Sequence, residues 1–139
     1  MNKQILQNSL RGMIVSLIAV LPVMAAESQS VTRSQDYFRD VISLSEALGK
    51  AHSVRAVCNG RNDQYWRKYM QRLLEIEAPY RGGLRDSMVN GFNAGFSIGS
   101  SAHAVCNGEA VNAEKSYAAE GRDLATRLAT ANIPGAPRP

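Results

Sequence analysis

Val57-Cys58-Asn59-Gly60 and Val105-Cys106-Asn107-Gly108 are one tetrapeptide placed twice, and they carry both cysteines of the chain. The stretch they bracket holds the single tryptophan, Trp66, and a row of regularly spaced glycines. What two such thiols can do depends on the compartment. In a reducing one they are buried apolar side chains or metal ligands; in an oxidising one an isolated pair is most simply a disulfide.

The N-terminus points outward. Lys3 and Arg11 precede the uncharged stretch from Met13 to Leu21, Pro22 breaks it, and Val23-Met24-Ala25 supplies residues suited to signal-peptidase cleavage after Ala25. The apolar run is short for a bilayer span, which needs about 20 residues. An uncleaved membrane anchor is the alternative. The segmentation is therefore a signal peptide at 1–25, a Ser/Gln/Thr-rich disordered leader at 26–34, a helical domain at 35–131 and a flexible Pro-rich tail at 132–139. Periplasmic export makes Cys58–Cys106 a disulfide, and closing a loop of that length stabilises a fold by roughly 4 kcal/mol. His52 and His103 lack ligand spacing with either cysteine, so neither a metal nor any other cofactor is expected.

The formal charge of +4 falls to about +2 once Lys3 and Arg11 leave with the signal segment. The remaining charges alternate in sign along the chain, unlike a nucleic-acid footprint, so no nucleic-acid partner is expected. Contact with a membrane is expected only through the signal segment before cleavage.

Periodicity predicts an all-α domain: four helices in a small antiparallel bundle, with the disulfide linking two helix ends. The first helix, from about Gln35 to Val57, carries Val41, Leu44, Leu48, Ala51, Arg55 and Cys58 on one face. The second, from about Gln64 to Ala78, carries Trp66, Met70, Leu73, Leu74 and Glu77, and Pro79 stops it. The third, from about Leu84 to Val105, has Leu84, Met88, Phe92, Phe96 and Ile98 as its large residues. The fourth, from about Glu109 to Ala131, has Ala110, Ala113, Tyr117, Gly121, Leu124 and Leu128. Asn-Gly after each cysteine ends a helix, and Asp63 can cap the second.

Three features bear on function. Arg55 and Glu77 each sit in an apolar stripe, where a lone charge is expensive. They are expected to meet as a structural ion pair; the alternative is that each snorkels to solvent. Gly91, Gly95 and Gly99 recur at four-residue steps, and each costs a helix about 1 kcal/mol relative to Ala. Another backbone must approach there, within the chain or as a partner docked in a groove of Gly91, Phe92, Asn93, Gly95, Phe96 and Gly99. His52 and His103 each precede a cysteine, so the disulfide could bring them together with Glu77 or Glu120 as acid–base groups. His52 reads more simply as a boundary residue bonded locally.

Ala47-Leu48-Gly49 with Arg55 and Cys58, Trp66-Arg67 with Met70, Leu73 and Glu77, Phe92-Asn93-Ala94-Gly95-Phe96, Cys106, and Tyr117 with Glu120-Gly121 together resemble a family of small exported alphaproteobacterial proteins of unknown function with two well-separated cysteines. The likeness runs from about Leu44 to Ala129. It implies a periplasmic helical domain with one disulfide and carries no activity. Where the family is aromatic and basic after its Phe-Asn motif, this chain has Phe96-Ser97-Ile98-Gly99.

No nucleophile–base pair or phosphate-binding loop stands out, so no residue is singled out as catalytic. The sequence therefore points to a non-enzymatic binding or accessory module of the cell envelope, whose partner is a periplasmic or envelope protein. A cell-wall-acting enzyme or enzyme subunit using His52 and His103 is the alternative.

Overall fold

The computed structural model describes residues 33–131. The expected signal segment, most of the leader and the C-terminal tail lie outside the described residues. The described part is four α-helices: α1 (Gln35–Asn59), α2 (Tyr65–Glu77), α3 (Gly83–Ala102) and α4 (Gly108–Ala131). Among the described residues there is no strand.

Local chemistry sets the helix ends. Ser34 caps α1, its hydroxyl accepting from the Tyr37 N–H at 3.2 Å. At the other end Gly60 sits at φ +91°, a left-handed conformation that an L side chain resists. Asp63 accepts from the Tyr65 N–H at the start of α2. At the start of α4 the Asn107 side chain accepts from Ala110 N–H at 2.8 Å. α3 ends earlier than its periodicity predicts, at Ala102 rather than near Val105.

α1 is the hub. It packs on α2, α3 and α4, whereas among the described residues no Cα of α3 lies within 8 Å of one of α4. Residues 47–49 and 51–54 of α1 are buried without interruption, as expected of a helix enclosed on several sides. The core joins Tyr37, Val41, Leu44, Ala47 and Leu48 to Met70 and Leu74 of α2, Met88 and Phe92 of α3, and Leu124 and Leu128 of α4. Phe96 and Ile98, expected on the inner stripe of α3, are 38% and 49% exposed.

The chain runs up, down, up, down. Tyr37 meets Glu77, and Arg55 meets Tyr65, so α2 is antiparallel to α1. Asp40 meets Arg127, and Arg55 meets Glu114, so α4 is antiparallel too. α3 runs parallel to α1. The positions of its glycines prove the register: Gly91 faces Ile42, Gly95 faces Glu46 and Gly99 faces Lys50, all at one offset of 49 positions. Cys58 and Cys106, 48 apart in sequence with Cα atoms 4.9 Å from each other, extend that register to the end of α1. Cys106 itself lies in the α3–α4 loop, two residues before α4 begins.

The glycine row is where two backbones touch. A Cβ on Gly95 would sit 2.1 Å from the Glu46 carbonyl oxygen; one on Gly99 would sit 2.0 Å from Ser53 Oγ. The approach is reciprocal, because a Cβ on Gly49 of α1 would lie 2.0 Å from the Phe92 carbonyl oxygen. Ser45 and Ser53 flank Gly49 at four-residue steps, and their hydroxyls turn back to donate to the Val41 and Lys50 carbonyls. Two rows of small residues thus interlock. The groove expected along Gly91, Phe92, Gly95 and Gly99 is filled by α1 and is not open to a partner. Asn93 points to solvent from the outer side.

Any side chain at the contact must push α1 and α3 apart. Gly95→Ala and Gly99→Ala should each lose about 1–3 kcal/mol in denaturant titration, as overpacked interiors do. Gly83→Ala, with nothing within 4 Å of the new methyl, should stay within about 0.5 kcal/mol of wild type.

Candidate functional site

Arg55 does not pair with Glu77. Its Nε donates to Asp63 Oδ2 at 2.8 Å and its Nη1 donates to Glu114 Oε1 at 3.2 Å. Glu77, at the far end of the antiparallel α1–α2 pair, instead accepts from the Tyr37 hydroxyl at 2.6 Å and pairs with Arg33 at 3.0 Å. The reason is direction: in an antiparallel hairpin a residue late in α1 meets the start of α2, not its end.

Around Arg55 a network ties three helices. The Trp66 indole N–H donates to the same Glu114 oxygen at 2.9 Å. Asn59 donates to Asp63 Oδ2 at 2.8 Å, and the Tyr65 backbone N–H donates to Asp63 Oδ1 at 3.0 Å. Asn59, the Tyr65 N–H and Arg55 together pull the Asp63 carboxyl down to about 2. The bond to Asp63, joined by the one to Glu114, pushes the Arg55 guanidinium above its ordinary value. Each charge is answered, so the network positions α2 and offers no spare acid or base.

What the network holds up is an aromatic cluster. Tyr65 and Trp66 rings stand 4.9 Å apart edge-on, Tyr65 and Tyr69 5.2 Å, and Trp66 and Tyr69 5.6 Å. Arg55 lies over the Tyr65 ring at 4.6 Å and Arg72 over the Tyr69 ring at 5.8 Å. The interaction with Tyr69 raises the Tyr65 phenol. Both tyrosines are 44% exposed, and Ile76 continues their side of the helix at 71%. Arg61, Lys68 and Arg72 are exposed beside them and form no ion pair among the described residues. Sequence reasoning missed this face. The signal available was Tyr65, Tyr69, Arg72 and Ile76 at steps of four, three and four.

The two histidines have separate neighbours. His52 is buried against the Phe92 and Phe96 rings, at 5.7 and 5.6 Å, and its Nδ1 finds no hydrogen-bond partner. His103 approaches the Tyr117 hydroxyl of α4 at 3.4 Å. Glu77 is engaged with Arg33 and Tyr37, and Glu120 faces solvent on α4. Two open clefts of about 510 and 770 Å³ are lined by Asp40, Ser43, Glu120 and Arg127, and by Pro79, Arg81, Arg85 and Asn90 respectively. Neither is lined by His52, Arg55, Glu77 or Asn93.

The family model for a protein of unknown function, DUF2385, matches residues 36–131. The chain belongs to this family. No curated protein and no solved structure matches the chain. The DUF2385 match runs from the first turn of α1 to the last residue of α4. It therefore covers the Arg55 network, both cysteines and the outer face of α2 together.

Two measurements check the site. A double-mutant cycle on Arg55→Met and Glu114→Gln should give a coupling of about 1–2 kcal/mol, and one on Arg55 and Glu77 should give zero within about 0.5 kcal/mol. Burial, with Arg67 adding to it, lowers the His52 pKa, so the unfolded chain takes up its proton first. Stability from neutral His52 is full above about pH 6.5 and is lost as pH falls through the lowered folded value. Melting temperature should drop between pH 7 and 5 in the wild type, and His52→Gln should remove that component.

Proposed function

We propose that the domain is an exported, non-enzymatic binding or accessory module of the cell envelope, and that it makes contact through the outer face of α2. A single disulfide closing the α1 and α4 ends supports an oxidising compartment. No described helix is long and apolar enough to cross a membrane, which suits a module that works beside one.

The observation that carries the reading is the contrast between the two sides of α2. Its inner side is anchored by Met70, Leu74 and the Arg55–Glu114–Trp66 network. Its outer side holds half-exposed tyrosines, an exposed isoleucine and cations that form no ion pair among the described residues. Exposed apolar and aromatic groups gathered on one face mark interaction surfaces more often than scattered ones do. Tyrosine and arginine are also among the residues that dominate binding energy.

In-cell photo-crosslinking from position 69 should trap an envelope component, with mature protein recovered free of reduced thiols. The double change Tyr65→Ser and Tyr69→Ser should fold with an unaltered helical spectrum and lose the crosslinked product. Retention of every product by that variant, or recovery of the protein with its signal segment in the cytosol, rejects the reading.

A further inference from the structure

We propose that the outer face of α2 docks on an anionic phospholipid surface. The inference rests on the envelope-module reading and names the occupant of the same face.

The chemistry of the face is that of a membrane-interface helix. Tyr65, Tyr69 and Ile76 present apolar bodies on one side of α2, and Tyr80, 84% exposed, continues them into the α2–α3 loop. Tyrosine suits the headgroup level because one end is apolar and the other wet. Lys68 and Arg72 lie on the same side, with Arg61 and Arg81 in the loops at either end. From position 64 to 74 the chain has no acidic residue; Glu75, exposed one turn after Arg72, is the acid on this side, and it leaves Arg61, Lys68, Arg72 and Arg81 in excess. Juxtaposed basic and aromatic residues on an amphipathic helix are drawn to anionic lipid.

The geometry favours a surface over a compact ligand. The face is one side of a 13-residue helix, about 20 Å long and convex. The cleft on α1–α4 lies elsewhere, and the one at the α2–α3 turn meets the face only at its end, where Arg81 lines it. A sugar ring would need a free aromatic face to stack on, and Arg55 and Arg72 each take one face of Tyr65 and Tyr69. A second copy of the chain would bring one set of cations against another. Held from below by Glu114 and Trp66, and at its C-terminal end by Arg85 donating to the Ala78 carbonyl at 2.7 Å, α2 reaches the surface already ordered. Little conformational freedom is then lost on docking.

The test is co-sedimentation of the processed protein with vesicles of phosphatidylglycerol and phosphatidylethanolamine, against pure phosphatidylcholine. Binding should favour the anionic vesicles and weaken as salt rises. Lys68→Gln with Arg72→Gln should lower vesicle affinity about 30-fold, at roughly fivefold per cation. Ile76→Ser with Tyr69→Ser should lower it further at high salt. Lys115→Gln with Arg122→Gln, on the exposed side of α4, should leave it unchanged. Equal binding to both vesicle types, or indifference to the Lys68 and Arg72 changes, overturns the inference. Failure to bind vesicles while the α2 face still crosslinks an envelope protein or binds isolated cell wall also overturns it. That last outcome leaves the envelope-module reading intact.

Discussion

The backbone contact between α1 and α3 is the constraint from which the rest of the domain follows. Gly49 on one side and Gly95 and Gly99 on the other let main chain approach main chain, with the Ser53 hydroxyl lying against Gly99. Such an approach gains dispersion contacts along its whole length, each small and together substantial. It offsets the intrinsic cost of glycine in a helix, about 1 kcal/mol each. It also fixes register, because only one sliding position puts Gly95 under the Glu46 carbonyl and Gly99 under Ser53. The Cys58–Cys106 bond falls almost at the same offset. The crosslink and the packing therefore demand one arrangement, which is the consistency expected of a sequence that specifies a single fold.

With α3 pressed so closely to one side of α1, the remaining helices take the other sides. α4 packs through Gly121, where an added Cβ would lie in ordinary contact, 3.5 Å from Leu44 Cδ1. α2 is the shortest helix and cannot span the length of α1 on hydrophobic contacts alone. Polar bonds hold both of its ends: Asp63 and Trp66 through Arg55 and Glu114 at the start, Glu77 through Tyr37, and the Ala78 carbonyl through Arg85 at the finish. Half-buried charges retained in this way act by fixing orientation more than by net stabilisation.

The helices were legible in the sequence because each rests on local signals: apolar spacing, Pro79 and the first Asn-Gly turn; the second, Asn107-Gly108, opens α4 instead of ending α3. The cysteine pairing, expected from reading the N-terminus as an export signal, is present as the Cys58–Cys106 bond. The need for a close backbone neighbour at Gly95 and Gly99 was legible too. Its identity was not, because Ser45, Gly49 and Ser53 are small or polar and leave no trace in an apolar stripe. The misplaced charge of Arg55 was correctly seen as needing a partner. The partner was chosen by symmetry of position, whereas the fold supplies Asp63 from the adjoining turn and Glu114 from α4. A helical wheel reports which residue lacks solvent and says nothing of what another helix brings to it. The outer face of α2 was missed for a related reason: charges that alternate along the chain separate once Asp63 is spent on Arg55 and Glu77 on Arg33.

This separation is what turns a structural network into a functional argument. Arg55, Asp63, Glu114 and Trp66 form the polar cluster beneath α2, and every one is engaged with another member of the same set. Using acids to hold the underside of α2 removes them from its surroundings and leaves Arg61, Lys68 and Arg72 outside, with Glu75 as the acid beside them and no ion pair to them among the described residues. The same bonds clamp Trp66 inward and leave Tyr65 and Tyr69 half exposed. Anchoring and display are thus two sides of one arrangement. A helix held by its own carboxylate partners presents a positive, aromatic surface without needing any residue dedicated to that end. The field of such a surface acts over about a Debye length, roughly 8 Å at physiological salt. That reach is why the proposed occupant is an extended anionic surface and not a compact ligand.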